Sequence, residues 1–101
     1  MAQFDVYVNE NQKTNSRVPY LMDVQNDILK SLHTRMVIPL VRDMKDVQGL
    51  TKRFIINNEK VYLTTSQMGA VHISELQKKV TSLATEKEEI KNSLDFLIYG
   101  F

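Results

Sequence analysis

The sequence predicts a mainly β fold, a small sandwich or barrel of roughly five short antiparallel strands with one C-terminal helix. Three observations carry it. Apolar and polar residues alternate near the start, an asparagine-rich turn separates two β-branched runs near the middle, and the apolar period lengthens toward the end.

Phe4, Val6 and Val8 alternate with Gln3, Asp5 and Tyr7, the period of a half-buried strand. Asn9 to Arg17 holds no large apolar residue and reads as a polar, mobile hairpin loop. A second strand follows from Val18 to Gln25, with Tyr20, Met22 and Val24 on one face and Pro19 favouring an edge or starting position. Asn26 to Thr34 fits either a helical turn or a folded loop around Ile28, Leu29 and Leu32. Met36 to Val41 is nearly all apolar, as in a strand covered on both faces. Pro39 has no N–H to give the ladder, which places it at a bulge or an edge.

Arg42 to Lys52 is charged and reads as a surface excursion. Phe54-Ile55-Ile56 and Val61-Tyr62-Leu63 flank Asn57-Asn58-Glu59-Lys60, a hairpin signal. Val71 and Ile73 suggest one more short strand. Leu76, Val80, Leu83, Ile90, Leu94 and Leu97 then fall on one helical face. Lys87 interrupts that stripe, so the continuous helix begins near Ser82 or Thr85, and Gly100 stops it. Strands are thus expected over about residues 3–75 and the helix over about 82–99, in a single domain spanning 1–101.

Hydrophobic content of 43% and charged content of 25% are those of a folded protein. The net charge of +1 argues against autonomous binding of nucleic acid or an anionic membrane. Cysteine is absent, which removes disulfides, thiol nucleophiles and thiolate metal sites, and fits a cytoplasmic protein. The opening Met1-Ala2-Gln3-Phe4-Asp5 does not read as a signal peptide, and no apolar run approaches the ~20 residues of a membrane span.

Catalytic motifs are mostly missing. There is no glycine-rich phosphate loop, and Ser74, His72 and Glu75 form a triad only on paper, since neighbours in sequence rarely converge. His33 and His72 are widely separated and lack ligand spacing, so neither metal nor cofactor is expected. Glu86, Glu88 and Glu89 beside Lys87 and Lys91 read as a solvated helix face. Arg35, Arg42 and Arg53 would serve RNA cleavage if two of them met at a scissile phosphate. An isolated arginine near a strand is more simply a surface ion-pair partner. The ending, Ile98-Tyr99-Gly100-Phe101, is different. Ile90, Leu94 and Leu97 already supply a core face, which leaves part of this aromatic segment exposed or at an interface.

Several segments share one pattern. Gln3-Phe4-Asp5-Val6-Tyr7 matches a Q-F-x-V-Y strand, Asp23-Val24-Gln25-Asn26-Asp27 is close to D-V-Q-S-D, and Arg35 to Leu40 reads R-M-V-I-P-L. Thr64-Thr65, Met68 and Val71, then Ile90-Lys91-Asn92 and the closing aromatic-Gly-hydrophobic triplet, complete it. In these ordered segments, spread over nearly the whole chain, the sequence resembles the CcdB family, toxins of bacterial addiction modules.

The resemblance implies an SH3-like barrel with an extra hairpin and a long C-terminal helix, assembled as a cytoplasmic homodimer. It implies a non-enzymatic toxin that binds the DNA gyrase A subunit and traps gyrase joined to cut DNA. A disordered antitoxin tail would neutralise it, and the pair would repress its own operon, with DNA contact left to the antitoxin. The matching positions imply that Tyr99, Gly100 and Phe101 form the gyrase-binding tip beside Asp95, with Gln3, Phe4, Tyr7, Asn26, Ile28 and Leu29 lining the same surface. The chain departs from the family where Tyr99-Gly100-Phe101 replaces Trp-Gly-Ile, where Asp95 replaces an asparagine, and where Ala70-Val71-His72-Ile73 replaces Ser-Val-Pro-Val. An mRNA endoribonuclease of the same fold, or an inactive relative that binds only antitoxin, are the alternatives.

Overall fold

The β-branched and aromatic runs of the chain pair into one antiparallel sheet. The computed structural model describes residues 2–29, 31–42 and 51–100, so most of the predicted excursion after Arg42 and all of Phe101 lie outside the described residues. Among the described residues the strands are β1 (Asp5–Val8), β2 (Tyr20–Asp23), β3 (Thr34–Val41), β4 (Thr51–Ile56), β5 (Glu59–Thr64), β6 (Gly69–His72) and β7 (Lys79–Ser82). One helix, α1 (Lys87–Tyr99), follows. The strand order is β4-β5-β3-β2-β1-β7, with β6 paired to β3, and the sheet curls into a half-barrel.

β3 organises the sheet because it is long and apolar on both faces. One edge pairs with β2, while the other pairs with β6 over Thr34 to Val37 and with β5 at Leu40 and Val41. Pro39 falls where β3 changes partner between these two stretches, so its missing N–H removes no bond to either. Its carbonyl accepts the Thr64 hydroxyl at 2.8 Å. Asn57 and Asn58 form the whole β4–β5 turn, with φ of 52° and 64°. That is the conformation of a two-residue hairpin whose twist matches the strands, and asparagine tolerates it.

Val6, Tyr20, Met22, Ile38, Leu40 and Leu63 meet inside the curl, and Ile90 closes it from α1. Ile90, Ser93, Leu94 and Leu97 are the buried or half-buried side of the helix, a spacing of three and four. The helix packs on β4 and on the turn at Thr65–Gln67, where Thr65 and Ser93 share a buried hydroxyl contact of 2.8 Å. A second cluster, Tyr7, Val37 and Leu76, lies on the other face of the sheet.

Three expectations are corrected. Leu76, Val80 and Leu83 are not helical: Lys79–Ser82 is a strand that takes the free edge of β1, and α1 starts only at Lys87. The strands therefore extend to Ser82 rather than about residue 75. β1 is buried on both faces instead of one, since Asp5 and Tyr7 are covered like Phe4 and Val6. The loop from Asn9 is organised around that residue, whose Nδ2 donates to Thr14 Oγ1 at 3.0 Å and to the Val18 carbonyl at 2.8 Å.

Candidate functional site

The last two turns of α1 carry apolar side chains that the core does not use. Asn92, Asp95, Phe96 and Tyr99 are spaced by three and four and form the stripe opposite Ile90. Tyr99 is 65% exposed and its neighbour Ile98 60%. Asp95 lies one turn before Tyr99 on the same stripe, so a carboxylate accompanies the ring. Gly100 ends the helix in the left-handed conformation at φ 80°, donating its N–H to the Phe96 carbonyl at 2.9 Å. Among the described residues, then, the helix end is ordered by its glycine cap and yet presents large apolar groups.

A second group surrounds the start of β1 and the loop after β2. Gln3 donates its N–H to Asp27 Oδ1 at 2.9 Å and its Nε2 to the Val24 carbonyl at 3.1 Å. Asn26 Oδ1 accepts the Ile28 N–H at 2.9 Å, starting the short 3₁₀ turn Asp27–Leu29. Ile28 stands 84% exposed at its centre. Phe4 and Tyr7 are buried below this surface rather than on it, Phe4 in the main core and Tyr7 in the second cluster. Phe4 reaches the core from a backbone at φ 73°, a conformation unfavourable for a bulky residue. Two bonds hold it there: Phe4 N–H to the Asp23 carbonyl at 2.6 Å, and Leu83 N–H to the Phe4 carbonyl at 2.8 Å. Among the described residues no hydrogen bond joins Asp95, Tyr99 or Gly100 to the Gln3–Ile28 group.

Beneath the loop lies a buried ion pair. Arg35 Nε donates to Asp23 Oδ2 at 2.8 Å, with 1% and 0% of the two side chains exposed. Burial pushes the Asp23 carboxyl above its usual range, against the pull of Arg35 and of the Gln25 N–H. Burial also raises the Tyr7 phenol, reinforced by the carboxylates of Asp5 and Asp23 and opposed by Arg35.

His72 and Ser74 do converge, at 2.8 Å between Nδ1 and Oγ, contrary to expectation. The Ser74 N–H also donates to Nδ1 at 3.1 Å, so the imidazole caps a 3₁₀ turn and its lone pair is occupied. Strand pairing likewise brings the distant His33 and His72 together, with parallel rings 6.4 Å apart. Among the described residues no group of three or more His, Cys, Asp or Glu side chains is placed to hold a metal. Arg35 is buried rather than at the surface, Arg42 is engaged by Glu59 and by the Ser16 carbonyl, and Arg53 stands exposed on β4. An open depression of about 660 Å³ is lined by polar residues that include Arg42, Lys78, Lys79 and Asn57, none of them in the two groups above.

Residues 3–100 match the family model described as CcdB protein. The chain belongs to the CcdB family. That family comprises toxins of toxin–antitoxin pairs. Among solved structures, this CcdB-family chain is similar to the Mycobacterium tuberculosis toxin MazF-mt6, with a TM-score of 0.67 at 9% identity over 75% of this chain and 81% of that one. It is also similar to an endoribonuclease in complex with its cognate antitoxin from Mycobacterial species, with a TM-score of 0.76 at 10% identity over 94% and 91%. At such identities the likeness is one of fold. No helix among the described residues is long and apolar enough to cross a membrane.

In this CcdB-family chain the structure brings Gln3, Asn26 and Ile28 to one loop region and leaves Asp95, Tyr99 and Gly100 at the end of α1. Leu29 closes the 3₁₀ turn, and Phe101 lies outside the described residues. Two neighbours of these groups escaped the sequence reading. Phe96, 38% exposed, belongs to the Tyr99 stripe, and its three-residue spacing from Tyr99 was the available signal. Arg35 was the other, and its only signal was a cation immediately before the apolar run Met36 to Val41.

Proposed function

We propose that this CcdB-family toxin binds the DNA gyrase A subunit and traps gyrase covalently joined to cut DNA. The observation that carries the reading is the exposed apolar end of α1, where Phe96, Ile98 and Tyr99 remain outside a core already filled by Ile90 and its neighbours. An aromatic side chain seated in a partner pocket or stacked on an arginine contributes on the order of 1–3 kcal/mol. Gly100, with nothing within 4 Å of the position a Cβ would take, lets a partner's backbone approach closely. Phe101, next in sequence, is assigned to the same contact, and the loop with Asn26 and Ile28 exposed, followed by Leu29 and with Gln3 beside it, supplies the flanking contact. Phe4 and Tyr7 support that loop from inside. A homodimer would present two tips to a two-fold symmetric target.

The cognate antitoxin neutralises the toxin through a disordered tail, and the pair represses its own operon with DNA contact supplied by the antitoxin. The near-neutral charge of the toxin fits that division. The toxin acts in the bacterial cytoplasm by protein binding and without a cofactor. An endoribonuclease function is disfavoured by the placement of Arg35, which is spent on a buried carboxylate.

Calorimetric titration of purified gyrase A subunit with the intact chain and with a form ending at Ile98 tests the reading. Tyr99 is largely exposed, so the shortened form is expected to stay folded, losing about 1 kcal/mol with the glycine cap. Its gyrase affinity is expected to fall at least about a hundredfold, the loss of two anchor contacts. Equal affinity of the two forms, or cleavage of RNA by the purified toxin in place of gyrase binding, would overturn it.

A further inference from the structure

The buried guanidinium of Arg35 contacts three residues around the loop that carries Asn26 and Ile28. Besides Asp23, its Nη2 donates to the Gln25 carbonyl at 3.2 Å and lies 3.5 Å from Asp27 Oδ1. Asp27 Oδ1 in turn accepts the Gln3 N–H, so the same node holds the start of β1. From the other side, Gln25 Oε1 accepts the Met36 N–H at 3.1 Å and the Val24 N–H reaches the Met36 carbonyl at 2.9 Å. One planar group thus binds two carboxylates and a backbone carbonyl from three successive odd-numbered residues, 23, 25 and 27.

A stability role explains this arrangement poorly. A buried ion pair costs desolvation that its attraction often fails to offset, and apolar replacements of such pairs are frequently neutral or stabilising. Nη1 is buried with no hydrogen-bond partner among the described residues, a further cost. What the pair does supply is a set of fixed contacts, at residues 23, 25 and 27, for a loop whose central side chain, Ile28, is 84% exposed.

We propose that Arg35 is a positioning residue for the gyrase surface, acting through Asp23, Gln25 and Asp27 to hold Asn26 and Ile28 in their binding geometry. The proposal rests on the gyrase reading above. It predicts a dependence on the guanidinium fork rather than on charge, since lysine offers a point charge that cannot span the three acceptors. In Arg35→Lys the loop samples other conformations that bind gyrase without the Ile28 contact, so affinity falls toward the fraction that still makes it. A competent fraction of about one in ten means a loss of about tenfold.

The test is a double-mutant cycle on gyrase A binding with Arg35→Lys, Ile28→Ala and both together, alongside amide hydrogen exchange at Gln25 to Ile28. Arg35→Lys is expected to keep a cooperative unfolding transition, to speed exchange in the loop, and to lower affinity about tenfold. Ile28→Ala is expected to weaken the parent strongly and the lysine variant much less, because a displaced Ile28 no longer makes its contact. Additive losses, or undiminished affinity in Arg35→Lys, would overturn the positioning role while leaving gyrase binding in place. No binding by the parent protein would remove both. If the lysine variant does not fold, Asp23→Leu combined with Arg35→Met replaces the pair by apolar groups. Full gyrase affinity in that folded variant would equally overturn the proposal.

Discussion

Tyr7 is the residue whose burial has a readable consequence in pH. Its ring packs with Val37 and Leu76 on the second face of the sheet, and its phenol is held above the ordinary value of 10.0 by burial and by two nearby carboxylates. The folded protein therefore keeps this proton more tightly than the unfolded chain does. The stabilising contribution is complete below the unfolded value and is lost as pH climbs through the raised folded one. In urea denaturation from about pH 9 to 11, the midpoint of the parent is expected to fall more steeply than that of Tyr7→Phe. Parallel falls would show the phenol to be solvated in the folded state. Residues differ sharply in how openly the sequence declares them. Asn57 and Asn58 are legible because positive φ is a local demand met by few residue types. Arg35 is not, because its burial depends on Asp23, a residue twelve positions away that no local pattern links to it.

At the scale of elements, α1 depends on one side chain more than on its own helical tendency. Its N-cap residue, Glu86, makes no side-chain capping bond, and thirteen residues are too few for a helix to persist alone in water. Ile90 is fully buried in the main core. Ile90→Ala is expected to cost about 2–4 kcal/mol in urea denaturation, the range for opening a cavity in a packed core. A loss below about 1 kcal/mol would mean that the helix is not docked as described. The same region shows why apolar periodicity places the helix start too early. Leu76, Val80 and Leu83 keep helical spacing, but Val80 and Thr81 are β-branched and β1 offers an open edge. Pairing with Asp5 to Tyr7, some seventy residues earlier, outweighs local periodicity and lies outside any short window. The β4–β5 hairpin was legible throughout because both its strands and its turn are contiguous in sequence.

For the molecule as a whole, the half-barrel is a scaffold that buries apolar residues in a main core inside the curl and a smaller cluster on the other face, and leaves Ile28 exposed in a loop and Ile98 and Tyr99 exposed at the helix end. Fold class was readable from alternation and turn chemistry. The exposure of Tyr99 was legible, since it lies off the core stripe, and so was the burial of Phe4, which alternation places with Val6; the burial of Tyr7 was not, because it depends on the Leu76 turn that covers the second face. Fold does not by itself choose between poisoning a topoisomerase and cutting RNA, because the chemistry resides in particular exposed side chains. The most direct measurement is therefore a cleavage assay with gyrase of the native host, supercoiled plasmid and ATP. It compares the intact chain with a form ending at Ile98 after detergent and protease treatment. Linear DNA only with the intact chain is the expected result. Linear DNA from neither form, or equally from both, would contradict gyrase poisoning through the Tyr99-Gly100-Phe101 segment.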